Sequence, residues 1–246
     1  MLAELLANSG VRILGTLPPN GKKFWEERFW DRAEAEQDPH LAKHYLEEKN
    51  NLLGLIERYA ADSTRLIEFC CGSGEFLEFV LKLTSVRELV GVDVSQHALK
   101  RAAAAVQHEG LRLVQGDFWD DSLDLGTADF VLCVDALQHL GNTAEVLERM
   151  RSFVAPGGVF LGNVWTFDHF HELERLRYGP TQHLVRSAKF FGSAVLIRAS
   201  GGRLRSDSYR TKLARTTELE KHIRRIFPTV HEVNHFRYHT SFACQC

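Results

Sequence analysis

No run of apolar residues in this chain approaches the roughly eighteen that would span a bilayer. Its first ten residues, MLAELLANSG, carry Glu4 where an export signal has basic residues, and their apolar stretch is too short for one. Charge of a single sign is also missing. Thirty Lys and Arg stand against thirty-two Asp and Glu, a formal −2 over 246 residues, so no global field points to nucleic acid or a membrane surface. Cysteine is scarce and odd in number, at five. Cys70, Cys71 and Cys133 lie inside apolar, strand-like runs, a pattern of buried thiols in a reducing compartment rather than of a disulfide framework. Cys244-x-Cys246 reads as a frayed end. The cytoplasm is the expected location. There is no internal repeat and no low-complexity tract.

What is present is the composition of an ordinary globular protein, 44 % apolar and 25 % charged, long enough for one sizeable α/β domain. The charge is unevenly spread. From Trp165 onward fourteen Lys and Arg face seven Asp and Glu, whereas sixteen face twenty-five before it. Such a basic third either meets an anionic substrate or forms a solvated surface.

Residues 22–60 read as helical, with aromatics at Phe24, Trp25, Phe29 and Trp30 and a break at Asp38-Pro39. From Arg65 the texture changes to short apolar runs alternating with helical segments: RLIEFCC, EFLEFVLKL, ELVGVDV, QHALKRAAAAVQ, LRLVQGDF, ADFVLCVDAL, TAEVLERMRSFV and GVFLGNVW. Asn142 or Thr143 caps the helix TAEVLERMRSFV, and Pro156-Gly157-Gly158 turns into the strand after it. This alternation predicts βαβ units and a mostly parallel sheet, with right-handed crossovers placing any ligand along one edge. Residues 165–192 lose the rhythm. Ser193–Leu213 reads as a hairpin around Ser200-Gly201-Gly202-Arg203, a surface for a homodimer contact or a second lid. A helix over Glu218–Phe227 and the strands VHEVNHF and YHTSFAC close the chain. The expected organisation is a helical cap (1–61), a core (62–164), an insertion carrying the hairpin (165–213) and a final helix with two strands of the core (214–246).

The informative segment is Glu68-Phe69-Cys70-Cys71-Gly72-Ser73-Gly74-Glu75. A buried strand runs into small residues and then a helix. Gly72 and Gly74 let the backbone turn sharply and approach a ligand, and the free N–H groups of the following helix's first turn point to the same place. Asp93, with Val94 beside it, ends the next strand twenty-five residues past Glu68, where a carboxylate can accept from both hydroxyls of a ribose. Asp117 and Phe118 end the third strand, offering an acceptor for an exocyclic amine and a ring to stack on a base. Asp135 ends the fourth, with His139 four residues on. A dinucleotide fingerprint requires a third small residue where Leu77 stands, and no G-x-x-x-x-G-K-[ST] loop is present, so a pyrophosphate or ATP held that way is disfavoured.

These residues resemble the class I S-adenosylmethionine (SAM)-dependent methyltransferases. The family's (D/E)-x-G-x-G-x-G motif maps onto Glu68, Cys70, Gly72 and Gly74, with Cys70 in place of the first glycine; Ser73 lies within it. Asp93 matches the ribose-binding acid, Asp117-Phe118 the adenine contacts, Asp135–Leu140 the segment after strand four, and Ala155-Pro156-Gly157-Gly158 the turn before strand five. The resemblance covers about residues 62–164. It implies a Rossmann-like, seven-stranded, mostly parallel sheet flanked by helices, SAM as cofactor, and transfer of a methyl group to an O or N atom of a small molecule. His139 is the candidate general base, with His169 and His171 as alternatives. Trp30, Tyr45, Trp165 and His169 are candidate walls of an acceptor pocket. No Asp/Asn-Pro-Pro-Tyr follows strand four, since Pro18-Pro19 precedes the fold; no Pro-Cys pair occurs, and no basic stripe with interleaved aromatics marks a nucleic-acid partner. His231, His235 and His239 have helical spacing inside a strand-like stretch, so no metal is expected. A SAM-binding protein without methyl transfer, whether a regulatory subunit or a cofactor-primed lyase or cyclase, fits the same residues. An NAD-dependent reductase is opposed by Leu77.

Overall fold

The computed structural model describes residues 1–27, 39–168, 170–204, 211–236 and 238–246. Its elements are α1 (Leu2–Gly15), α2 (Lys22–Glu27), α3 (Pro39–Ala60), β1 (Arg65–Phe69), α4 (Glu75–Leu83), β2 (Glu88–Asp93), α5 (Gln96–Ala105), β3 (Leu111–Gln115) and β4 (Ala128–Cys133), followed by α6 (Leu137–Leu140), α7 (Thr143–Ser152), β5 (Val154–Trp165), α8 (Phe170–Ala199), α9 (Thr216–Ile226), β6 (Thr229–Phe236) and β7 (His239–Gln245). The seven strands form one sheet in the order β3-β2-β1-β4-β5-β7-β6. The first five run parallel, and β7 runs antiparallel to both β5 and β6.

The central strands are apolar on both faces because helices cover both. Side chains of odd and even positions part to opposite sides. Ile67, Phe69, Val131 and Cys133 pack with Val146, Leu147 and Met150 of α7 and Leu219 and Ile223 of α9. Leu66, Phe130 and Leu132 pack with Leu52, Leu55 and Ile56 of α3, Leu77 and Val80 of α4, and Leu99 of α5. Each fully buried Leu, Ile or Phe contributes about 1.5–3 kcal/mol, so these two layers hold the strand tips in place. Side-chain caps set where the crossover helices begin. Ser95 Oγ accepts from the Ala98 N–H ahead of α5, and Asn142 Oδ1 accepts from the N–H groups of Ala144 and Glu145 ahead of α7.

Three readings of the sequence are corrected. Ser193–Ala199 is the end of α8, not an arm of a hairpin. Gly201 and Gly202, at φ 64° and 81°, terminate that helix, with their N–H groups bonded back to Arg198 and Ile197. A Gly-Gly pair serves a helix C-terminus as well as a hairpin turn, and here Ala194 and Ile197 bury against Leu14 and Leu17 in helical register. Cys244 is not frayed: β7 lies between β5 and β6, and the thiol is fully buried. Pro156-Gly157-Gly158 lies within β5, which starts at Val154 and slips its register against β4 between Ala128 and Phe130. Among the described residues no helix is long and apolar enough to cross a membrane.

Candidate functional site

Parallel registry brings the carboxyl ends of β1 to β4 to one edge of the sheet, and local backbone geometry shapes that edge. After β1 the chain enters the left-handed region three times, at Cys70 (φ 56°), Gly72 (φ 53°) and Gly74 (φ 83°). The two glycines do different work. A Cβ on Gly74 would lie 2.9 Å from Val106 Cγ2 and 3.0 Å from Ala102 Cβ, so this residue exists to let the start of α4 meet the end of α5. A Cβ on Gly72 would meet nothing within 4 Å, so of the two it is Gly72 that presents bare backbone to open space.

Asp93 ties the glycine turn to the tip of β2. Its Oδ2 accepts from the Gly72 N–H at 2.9 Å and its Oδ1 from the Ser95 N–H at 2.8 Å. Burial pushes its pKa up, and the Ser95 and Gly72 N–H groups pull against that shift. Each oxygen keeps a further lone pair for a ligand hydroxyl. Val94 lies next to it, half-buried, with its carbonyl accepting from the Gln115 side chain. Glu68 lies one step below the edge at 2 % exposure, and its carboxyl accepts from the Leu77 N–H. Burial first, then the nearby Asp93 and Glu75, push its pKa well above the carboxylate range, so it supports the turn from beneath. Ser73 is exposed at the turn. The Cys70 thiol sits beside that of Cys133, and this contact together with burial raises its pKa and makes it a poor nucleophile.

At the end of β3, Asp117 is exposed and its Oδ1 accepts from the Trp119 N–H. Phe118 does not present its ring to this edge. It is 5 % exposed, packs edge-on against Phe69 at 5.4 Å and belongs to the core, so the stacking role expected of it is corrected. The ring left open is its neighbour Trp119, 40 % exposed and held by Nε1–H donation to the Leu140 carbonyl at 2.7 Å. The sequence showed an aromatic pair, but which member faces inward depends on the path of the chain after β3.

At the end of β4, Asp135 adopts φ 54°, and His239 Nε2 lies 2.9 Å from its Oδ1. His139, in α6, is 9 % exposed, with its ring 5.1 Å from that of Trp25 and its Nε2 3.4 Å from Gln138 Nε2. Helix α2 therefore reaches over the same edge, and Glu26 Oε2 accepts from the Gln96 N–H at 2.8 Å. Trp25 is one of the cap aromatics the sequence singles out, whereas Glu26 carries no signal in the periodicity of residues 22–60. Tyr45 lies half-buried in α3, 5.7 Å from His44. Trp165 ends β5 with its ring stacked on Tyr238 at 6.0 Å and edge-on to His239 at 5.7 Å. Trp30 and His169 lie outside the described residues. His171 is far from a base's role: it is buried between α8 and α1, its Nε2 2.6 Å from Asn8 Oδ1. A shallow cleft lined by Tyr59, Asp62, Asp129 and Gly157 lies at the opposite, amino edge of the sheet.

Residues 67–160 match the model of a methyltransferase domain family. Over 137 residues the chain is 28 % identical to a ubiquinone biosynthesis O-methyltransferase of Paraburkholderia xenovorans, covering 54 % of this chain and 58 % of that protein. It is 27 % identical over 132 residues to a dTDP-3-amino-3,4,6-trideoxy-alpha-D-glucopyranose N,N-dimethyltransferase of Streptomyces venezuelae, covering 51 % and 52 %. The chain thus spans little more than half the length of these curated relatives. Its fold is that of the N-methyltransferase NodS from Bradyrhizobium japonicum, solved with S-adenosyl-L-homocysteine (TM-score 0.57, 14 % identity, 90 % of this chain and 94 % of that one). Residues 67–160 thus match a methyltransferase domain, and the strand order and motif residues of the chain agree with that likeness.

Proposed function

We propose that the chain transfers a methyl group from SAM to an oxygen or nitrogen atom of a small-molecule acceptor. The observation that carries the reading is the link from Gly72 to Asp93, which sets bare backbone beside a half-buried carboxylate where four successive parallel strands end. Asp93 would accept the ribose hydroxyls, Asp117 the exocyclic amine, and Trp119 would stack against the base, while the backbone at Gly72 lets the ligand lie close. When bound, SAM supplies an electrophilic methyl on a positively charged sulfur. The protein's share is alignment and exclusion of water. Trp25 covers the ring of His139 and shields that side of the edge. His139 takes the acceptor's proton where the acceptor carries one, and the strand tip at Asp135 lies beside it in the chain. Relatives named for O- and for N-methylation support both acceptor atoms equally.

Calorimetry with S-adenosyl-L-homocysteine tests the binding half of this reading. Asp93→Ala removes a charge-assisted acceptor and should weaken affinity at least about tenfold. Unchanged affinity would remove the ribose assignment. His139→Ala should lower turnover on an accepted substrate and leave cofactor affinity alone; equal turnover would retire the base.

A further inference from the structure

Beside the edge just described, and independent of methyl transfer, three metal-ligating side chains converge from distant parts of the chain. His44 and Glu48 stand one helical turn apart on α3, and His239 opens β7. They are 0 %, 4 % and 1 % exposed. His44 Nε2 lies 2.9 Å from His239 Nδ1, His239 Nδ1 lies 3.1 Å from Glu48 Oε1, and His44 Nε2 lies 4.0 Å from Glu48 Oε2. These separations bracket the edge of about 3.3 Å that a tetrahedron has when its N and O ligands sit roughly 2.0–2.1 Å from a zinc ion.

The ring of His239 lies between two carboxylates, Glu48 on its Nδ1 side and Asp135 on its Nε2 side, which gives the arrangement its direction. Its Nε2 lies 2.9 Å from Asp135 Oδ1, while its Nδ1 lies 3.1 Å from Glu48 Oε1 and 2.9 Å from His44 Nε2. Buried against two imidazoles, the Glu48 carboxylate needs its charge balanced by a proton or a cation. A carboxylate on the outer nitrogen of an inward-facing imidazole is also the usual support of a metal-bound histidine. We infer that His44, Glu48 and His239 form a site for a divalent transition metal of the zinc class, with Asp135 orienting His239 from behind. Two imidazoles and one carboxylate suit zinc and its neighbours rather than Mg2+ or Ca2+, which take oxygen ligands. The ion would clamp α3 onto β7 next to the cofactor edge. Sequence spacing groups the wrong histidines: His231 stacks on Tyr59 at 5.1 Å, and His235 bonds Glu220 at 2.9 Å and Thr240 at 3.1 Å.

The test uses tag-free full-length protein, dialysed against Zn2+ and then metal-free buffer, with elemental analysis and chelator competition. One equivalent should remain, and Glu48→Gln and His239→Gln should each weaken retention at least a hundredfold, whereas His222→Gln should not. Protein that stays folded and holds no zinc, or variants that hold it as wild type does, would overturn the site. Should the variants misfold, Co2+ titrated into wild-type protein decides: a strong visible band marks low-coordinate N/O ligation, and the pale spectrum of the hydrated ion refutes it.

Discussion

Cys70 holds a left-handed backbone at φ 56°, a conformation that costs an L-residue roughly 1–2 kcal/mol. This is the position where the family's motif has glycine, and the geometry explains why. Cys70→Gly relieves that cost but adds about 0.5–1 kcal/mol of chain entropy and gives up the thiol contact with Cys133. Its stability by urea unfolding should stay within about 1 kcal/mol of wild type. Gly74→Ala has no such compensation, since it is strained at φ 83° and collides with Ala102 and Val106, so it should lose at least about 2 kcal/mol. The neighbouring aromatics make a second contrast. Phe118→Ala opens the core and should cost about 3–5 kcal/mol. Trp119→Ala touches an exposed ring and should mainly weaken cofactor affinity; the reverse pattern would return the stacking role to Phe118. Glycines, acids and their spacing were legible in the sequence. The inward or outward sense of Phe118 and Trp119 was not, because no period governs a loop.

Among the elements, α1 and α8 form a unit of their own on the side of the sheet. Leu14 and Leu17 pack against Ala194 and Ile197, Arg175 pairs with Glu4, and His171 is buried between the helices. Burial, with His183 nearby, lowers the His171 pKa from 6.5 to about 4. The unfolded chain therefore binds a proton between pH 6.5 and 4 that the folded chain refuses, so stability falls as pH drops through that window and levels below it. At pH 5 the loss from this one residue is about 2 kcal/mol relative to neutral pH. Urea midpoints of wild type and His171→Gln at pH 7 and pH 5 check it: the variant should show the smaller decline. The apolar positions of residues 193–197 belong to this helix pair. They were misread as extended because the partner, α1, lies nearly the whole chain away.

At the scale of the whole molecule, a ligand that binds only the folded state stabilises it by mass action. S-adenosyl-L-homocysteine at a hundredfold over its dissociation constant should add about 2.7 kcal/mol, and at roughly 2–4 °C per kcal/mol for a chain of this size the melting temperature should rise by about 5–10 °C. Scanning calorimetry with and without the ligand would show it, and an unmoved transition would contradict the cofactor site. The strand order 3-2-1-4-5-7-6 is what makes one edge of the sheet chemically coherent, since β1 and β4 leave in opposite directions and open the crevice between them.

By itself the sequence determined the alternation of strands and helices, the glycine turn and the carboxylates at the strand tips, because each rests on neighbours within one element or one βαβ unit. Tertiary structure alone decided that Trp25 covers His139, that Trp119 rather than Phe118 faces out, and that His44, Glu48, His239 and Asp135 meet. Those pairings join residues up to 195 positions apart, and no local propensity or spacing carries information over that distance.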